Sequence, residues 1–282
     1  MYEVLEVFCG VGSSVIKEVV VGQSRWQVSD VGQGTPLLLV HGFPLDHSMW
    51  REQIVGLQDH CRVIAPDLVG FGKSECVARD DDKLSMSQFA DDLATLLDQL
   101  EVSESVIFCG LSMGGYIGWE FYRRHRDRVA RLVMCDTRAA ADTKDVARGR
   151  LMMAQKTIAT GPADLVEPMI GRLFSENTLE SQLEIVAAMR EVMLNTDRKS
   201  IAAALRGMAE RDSAESLLSE IDVPALFICG AEDRITPLDE MRSVANRVPN
   251  AELVCVPNAG HLAPLENPRV VNDAMREFIS RN

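Results

Sequence analysis

The sequence lacks the features of membrane proteins, secreted proteins and cysteine-based metal sites. No stretch approaches the roughly 18 consecutive apolar residues of a membrane-spanning helix. The first residues lack the basic segment and the apolar segment that together form a secretory signal. The seven cysteines include no CxxC pair that would indicate a metal or redox site. These absences predict a cytoplasmic protein.

Positive charge is also in short supply. The chain has 29 Lys and Arg residues against 42 Asp and Glu residues, which gives a net charge of −13 at pH 7. Because a protein with this charge repels polyanions, we expect neither nucleic acid nor an anionic membrane as a partner. The sequence leaves open whether the chain forms a homo-oligomer.

The length of the chain allows two arrangements. At roughly 150 residues per domain, the 282 residues form either two units or one large α/β domain that carries an insertion. Hydrophobic residues make up 46% and charged residues 25% of the chain, which is typical of a globular protein with a sizeable core. General disorder is therefore excluded.

Short apolar runs rich in Val, Ile and Leu recur along the chain, and most are followed by a segment with helical periodicity. This alternation is typical of an α/β fold with a mostly parallel sheet. Eight strands are predicted, at residues 15–21, 25–31, 37–40, 62–65, 106–109, 131–135, 225–229 and 252–256. Helices are predicted at residues 49–59, 87–100, 113–126, 238–247 and 269–280.

One long stretch departs from this alternation. Between Thr137 and Ser216 the sequence has no convincing strand and is typical of several amphipathic helices. Breaks between these helices are predicted at residues 161–162, 167–168, 175–177 and 195–197. We therefore predict a core formed by residues 1–136 and 217–282, with a helical cap at 137–216 inserted after the sixth strand.

The strongest local motif is Gly110-Leu-Ser112-Met-Gly114, which directly follows one predicted strand and directly precedes a predicted helix. In this position a Gly-x-Ser-x-Gly sequence is typical of a nucleophile elbow, a strained turn that exposes the serine hydroxyl above the sheet. A serine hydroxyl is a weak nucleophile until a base accepts its proton. Ser112 is therefore the candidate nucleophile, and one of the five histidines is expected to be its base.

His261 is the best placed of these histidines. It follows the last predicted strand, and a loop at the carboxyl end of that strand can reach Ser112. The other histidines lie in the loop after the third predicted strand or at helix ends, namely His41, His47, His60 and His125. We predict that His261 is the catalytic base.

The base needs an acid that orients it, and the tetrahedral intermediate needs hydrogen-bond donors. Asp233 follows the seventh predicted strand and completes the chain order Ser, Asp, His of a nucleophile-elbow hydrolase. Two rivals for the acid are the adjacent Glu232 and Asp136, which follows the sixth strand. The predicted oxyanion donors are the backbone N–H groups of Met113, which begins a helix, and of Phe43.

Five motifs together resemble the α/β-hydrolase superfamily in their order and approximate spacing. They are His41-Gly-Phe-Pro44, Asp67-Leu-Val-Gly-Phe-Gly-Lys-Ser74, Gly110-Leu-Ser-Met-Gly-Gly115, Gly230-Ala-Glu-Asp233 and Gly260-His261. The resemblance implies an α/β-hydrolase fold whose helical cap lies between strands six and seven. Within the superfamily the chain is most similar to cofactor-free carboxylesterases, 3-oxoadipate enol-lactonases and non-haem haloperoxidases or perhydrolases, which implies that no cofactor is needed.

These features predict a serine esterase in which Ser112, His261 and Asp233 cleave carboxylic esters through an acyl-enzyme. The alternatives are a specialised enol-lactonase, a perhydrolase or haloperoxidase, a C–C bond hydrolase, and a non-catalytic ligand-binding protein of the same fold. The sequence assigns no arginine of the cap to a substrate carboxylate, so a neutral ester of short to medium length is the expected substrate. Six cap methionines either line an adaptable pocket or fill the helix core.

Overall fold

A single sheet forms the centre of the computed structural model, which describes residues 4–5, 16–75, 79 and 81–281. Its nine described strands are β1 (Val4–Leu5), β2 (Ile16–Val21), β3 (Ser24–Val31), β4 (Pro36–Val40), β5 (Arg62–Pro66), β6 (Val106–Leu111), β7 (Val129–Cys135), β8 (Ala225–Gly230) and β9 (Ala251–Val256).

The spatial order of the strands is β1-β2-β3-β5-β4-β6-β7-β8-β9. The pairs β1–β2, β2–β3 and β3–β5 are antiparallel. The pairs β4–β5, β4–β6, β6–β7, β7–β8 and β8–β9 are parallel. The eight predicted strands and the mostly parallel sheet are confirmed. The two-residue β1 is an addition that the sequence did not predict, and residue 15, the predicted start of the next strand, lies outside the described residues.

The central strands are continuous apolar runs because helices cover both faces of the sheet. In β4, Leu37 and Leu39 join one buried cluster, whereas Leu38 and Val40 join the other. Successive side chains of a strand point to opposite faces, so one short run of leucines and valine contributes to two separate cores.

Helices flank the sheet on both sides. The described α-helices are α1 (Arg51–Leu57), α2 (Met86–Gln99), α3 (Met113–Arg124), α4 (Lys144–Thr160), α5 (Ala163–Leu173), α6 (Glu176–Ser181), α7 (Leu183–Asn195), α8 (Arg198–Ala209), α9 (Leu238–Ala245), α10 (Ala263–Glu266) and α11 (Pro268–Ser280). Helices α2, α3 and α9 contribute to one core, and α1 and α11 contribute to the other. Within the described chain, no helix combines the length and the apolar character needed to cross a lipid bilayer.

The predicted helical insertion is confirmed, because α4 to α8 lie between β7 and β8. Its helix ends follow local capping chemistry: Ser175 accepts a hydrogen bond from the backbone of Thr178, and Gly161 ends α4 with a φ of 86°. The break predicted near residue 168 was wrong, because α5 continues through Pro168. Burial of Leu165, Val166 and Ile170 on α5 offsets the hydrogen bond that proline cannot donate.

Candidate active site

Ser112 occupies the turn between β6 and α3 with φ of 52° and ψ of −110°. A non-glycine residue rarely adopts a positive φ, and such strain persists only where the surroundings enforce it. Here the Ser112 N–H donates to the carbonyl of Cys135 at 3.0 Å, and the Thr137 hydroxyl donates to the Ser112 carbonyl at 2.8 Å. The turn therefore has the strained geometry expected of a nucleophile elbow.

The glycines on either side of Ser112 are required by close backbone contacts. A Cβ atom on Gly110 would lie 2.3 Å from the carbonyl oxygen of Gly114, and one on Gly114 would lie 2.2 Å from that of Val40. Both distances are far below contact distance, so larger residues would force the strand and the helix apart. The motif spacing thus reflects how tightly the chain turns from β6 into α3.

The three residues predicted to form a triad lie in one hydrogen-bonded chain. His261 Nε2 is 2.8 Å from Ser112 Oγ, and His261 Nδ1 is 2.8 Å from Asp233 Oδ2. Both His261 and Asp233 are buried. With the proton on Nδ1, His261 donates to Asp233 and accepts from the Ser112 hydroxyl, the arrangement a general base requires.

The loop after β8 holds the Asp233 carboxylate in place. Oδ1 accepts hydrogen bonds from the N–H groups of Ile235 at 2.7 Å and Thr236 at 3.0 Å, and the Thr236 hydroxyl donates to Oδ2. Burial by itself would raise the pKa of Asp233, but contact with His261 and the bonds from Thr236 outweigh it and hold the pKa below its usual value. Asp233 is therefore ionised at neutral pH, and its negative charge lies beside the imidazole of His261.

The two rival acids are placed differently. Glu232 is exposed. Asp136 is fully buried, and its Oδ1 accepts the N–H of Gly230 at 2.8 Å, while Oδ2 has no partner among the described residues. Burial, together with the neighbouring carboxylate of Asp233, raises the pKa of Asp136 well above its usual range. Of the three acids, the geometry brings Asp233 to the imidazole.

Another buried carboxylate, which sequence reasoning missed, holds the loop that carries His261. Glu266 on α10 accepts the N–H groups of Gly260 at 2.9 Å and Leu262 at 3.2 Å, on either side of the histidine. Its other oxygen accepts the N–H of Ser175 in the helical insertion at 2.8 Å. A single side chain thus links the histidine loop to the insertion.

The two predicted oxyanion donors follow adjacent strands of the sheet: Phe43 lies in the loop after β4, and Met113 follows Ser112 after β6. Met113 is the first residue of α3, so its N–H has no acceptor within the helix. The Phe43 side chain lines the same cavity as Ser112. Buried His41 shapes the Phe43 loop, because its Nε2 accepts the N–H of Leu68 at 3.0 Å and its Nδ1 therefore donates to Gly42.

A cavity of about 410 Å³ opens above Ser112 and His261, between the sheet and helices α4, α5 and α8. Five of the six methionines of the insertion have one of the two predicted roles. Three line the cavity, namely Met153, Met169 and Met208. Met189 and Met193 are buried in the core, and Met152 is exposed. The site is therefore largely apolar and partly lined by flexible thioethers.

Three arginines also line this cavity, namely Arg138, Arg150 and Arg172. Sequence patterns assign none of them to the site. No local pattern distinguishes them from the other arginines of the insertion, because helix periodicity does not say which face of a helix turns toward Ser112.

In the part of the chain that the structure describes, two clusters of side chains have the composition of a metal site. In the first, His47 Nδ1 lies 2.6 Å from Asp67 Oδ1, which also accepts the backbone N–H of His47. The second consists of Asp136, Cys229 and Asp233, and its Asp233 oxygens are held by the hydrogen bonds to Thr236 and His261. Because internal hydrogen bonds already engage His47 and Asp67 in the first cluster and Asp233 in the second, we assign no metal to either cluster.

Comparison with known proteins agrees with this geometry. Residues 35–268 match the family described as alpha/beta hydrolase fold. The chain is 30% identical over 263 residues to the AB hydrolase superfamily protein YisY of Bacillus subtilis (strain 168), covering 89% of this chain and 94% of that protein.

Solved structures give the same result. A thermophilic esterase from Thermogutta terrifontis, solved with malate bound, is 38% identical with a TM-score of 0.90, covering 94% of this chain and 97% of that one. The enol-lactonase from Burkholderia xenovorans LB400 is 26% identical with a TM-score of 0.86, covering 94% and 100%. The chain therefore belongs to the α/β-hydrolase family.

Proposed function

We propose that this α/β-hydrolase is a serine esterase that cleaves carboxylic esters through an acyl-enzyme. The observation that carries the proposal is the continuous chain of hydrogen bonds from Asp233 through His261 to Ser112, which ends on an apolar cavity. Such a chain activates a hydroxyl for attack on a carbonyl carbon, and it has no other evident use at the end of a strained turn.

In the first half-reaction, Ser112 Oγ forms a bond to the carbonyl carbon while its proton passes to His261 Nε2. The carbonyl oxygen becomes an oxyanion, which the N–H groups of Phe43 and Met113 stabilise. The intermediate then breaks the bond to the alcohol oxygen, and His261 returns the proton to that oxygen. Water repeats these steps on the acyl-enzyme, releasing the acid and restoring Ser112.

Two further observations support ester cleavage. The chain is similar to a thermophilic esterase at 38% identity and to an enol-lactonase at 26% identity. Both of these reactions break an acyl C–O bond. The cavity volume of about 410 Å³ suits an ester of short to medium length. A lactone is an internal ester, so the same residues would open one that fits this cavity.

The placement of the insertion supports different roles for the insertion and for the rest of the chain. We propose that residues 1–136 and 217–282 form the catalytic core and that residues 137–216 form a cap that selects the substrate. Helices α4, α5 and α8 of this segment form much of the cavity wall, whereas the triad residues lie outside it.

The direct test is Ser112→Ala assayed with 4-nitrophenyl esters from acetate to decanoate. The expected result is a loss of kcat/KM of at least about 10³-fold, together with loss of labelling by a fluorophosphonate. Ser181→Ala, at an exposed position on α6, is the matched control and is expected to keep full activity. Unchanged turnover in Ser112→Ala would contradict the proposal. The acyl chain length that the wild type hydrolyses best would show how long an acyl group the cavity accommodates.

A further inference from the structure

The charge of the cavity wall is opposite to the charge of the whole protein. Among the described residues that line the cavity, three are arginines and none is an aspartate or a glutamate. The chain as a whole carries a net charge of −13. The overall composition of the chain therefore does not explain why the cavity wall above Ser112 is positively charged.

Of the three arginines that line the cavity, Arg138 has its charge balanced by a carboxylate. Its Nε lies 3.1 Å from a carboxylate oxygen of Glu240, and Nη2 donates to the carbonyl of Ile235 at 2.5 Å. These contacts fix the guanidinium against the loop after β8. We therefore exclude Arg138 from the charge that is free to bind a ligand.

Arg150 belongs to a group in which two cations share one anion. Its Nε donates to Asp142 Oδ2 at 2.6 Å, and Arg211 Nη1 lies 2.7 Å from Asp142 Oδ1. The Asp142 side chain is fully buried, so solvent does little to screen this group. Two guanidinium groups against one carboxylate leave one positive charge uncompensated beside the cavity.

Arg172 is an exposed cavity-lining residue whose side chain forms neither an ion pair nor a hydrogen bond with the described residues. Its backbone position is nevertheless well defined. The carbonyl of the next residue, Leu173, accepts the backbone N–H of His261 at 2.8 Å. An available guanidinium therefore lies one residue from a direct contact with the loop of the catalytic base.

We infer that the substrate is an anionic ester or lactone, whose carboxylate binds Arg172 with support from the excess charge at Arg150. A guanidinium presents a planar fork of donors that matches a carboxylate in a bidentate pair. The apolar wall would hold the hydrocarbon between this carboxylate and the scissile ester. This inference rests on the proposed esterase function, and it replaces the neutral ester expected from the sequence.

The test compares substrates that differ only in the terminal group, which is a carboxylate in one member of each pair and a methyl group in the other. Monoethyl succinate, glutarate and adipate are paired with ethyl butyrate, pentanoate and hexanoate, and hydrolysis is followed by proton release. Wild-type enzyme is expected to prefer the charged member of at least one pair by about tenfold or more in kcat/KM. The preference should shrink as the salt concentration rises, because Arg172 is exposed.

Arg172→Gln identifies the residue responsible. Its kcat/KM for the preferred half-ester should fall by about 10- to 100-fold, mainly through KM, while neutral esters change less than about twofold. Arg172→Lys should recover part of the loss. Arg148→Gln, an exposed α4 residue that pairs with Asp145 and does not line the cavity, is the matched control and should leave both rates unchanged.

The outcomes separate this inference from the esterase proposal. Equal turnover of charged and neutral esters, or an equal loss for both classes in Arg172→Gln, would overturn the anionic substrate and leave the esterase standing. Absence of Ser112-dependent hydrolysis in both classes would overturn the esterase. In that case calorimetric binding of glutarate still decides the anion site: binding that Arg172→Gln abolishes supports it, and no binding or unchanged binding refutes it.

Discussion

One carboxylate oxygen of Asp136 lies within 4.8 Å of one of Asp233, yet His261 hydrogen-bonds to Asp233 and not to Asp136. Two carboxylates this close in a buried site do not both ionise readily. The surroundings favour the negative charge on Asp233, because its carboxylate accepts hydrogen bonds from Ile235, Thr236 and His261. Asp136 accepts one described bond, from Gly230, and burial beside the Asp233 carboxylate raises its pKa well above the usual range, which favours its neutral form.

This assignment predicts different effects from two equivalent substitutions. Asp233→Asn should lower kcat by about 10³- to 10⁴-fold, because the amide neither fixes the tautomer of His261 nor stabilises its charged form. Asp136→Asn should keep kcat within about fivefold, since an amide resembles the neutral carboxyl already present. Steady-state kinetics on the best ester of the series would measure both, and equal losses would show that the two carboxyls act as one unit.

The neutral Asp136 also predicts how stability changes with pH. Its pKa is raised in the folded protein and is about 3.9 when unfolded. Above that value the unfolded chain releases the proton while the folded chain keeps it, so the free energy of unfolding falls as pH rises toward the folded pKa. This group contributes a slope of up to about 1.4 kcal/mol per pH unit in that window.

Removing the titrating group should remove this slope. Asp136→Asn is expected to gain stability over the wild type progressively as the pH rises above about 5 toward the folded pKa of Asp136, measured by urea unfolding. Asp59→Asn, at an exposed position, controls for the loss of one carboxyl. A constant difference between Asp136→Asn and wild type across this range would show that Asp136 is ionised in the folded protein.

Glu266 is predicted to position His261 without touching the substrate. In Glu266→Gln one oxygen becomes an NH₂ group that faces backbone N–H donors, so at least one of the three hydrogen bonds is lost. The free energy of unfolding should fall by about 1–3 kcal/mol. At temperatures where the variant is fully folded, kcat should still fall by about 10- to 100-fold because the base is misplaced.

The matched control is Glu277→Gln on α11, where the carboxylate is exposed and pairs with Arg281. It should change neither kcat nor the shape of the pH–rate profile. If Glu266→Gln loses stability but keeps the wild-type kcat and pH–rate profile, Glu266 serves the fold alone.

Sequence patterns within single segments were sufficient to predict the sheet, the turn at Ser112 and the helical insertion. The strand β6, the turn at Ser112 and the helix α3 lie within 19 consecutive residues, 106–124, so local propensity and glycine spacing predict them directly. The break wrongly predicted at Pro168 shows the limit of such patterns. Packing of α5 against its neighbours outweighed a local signal there.

The chemistry of the site depended on contacts between distant segments. Asp136, Glu232 and Asp233 all follow strands, and the chain order favours Asp233, but only the tertiary structure places its carboxylate against an imidazole 28 residues away. Glu266 contacts Ser175 across 91 residues. Arg150 and Arg172 line the cavity because α4 and α5 turn those faces inward. Periodicity locates a helix, whereas its rotation toward the nucleophile follows from burial against the rest of the fold.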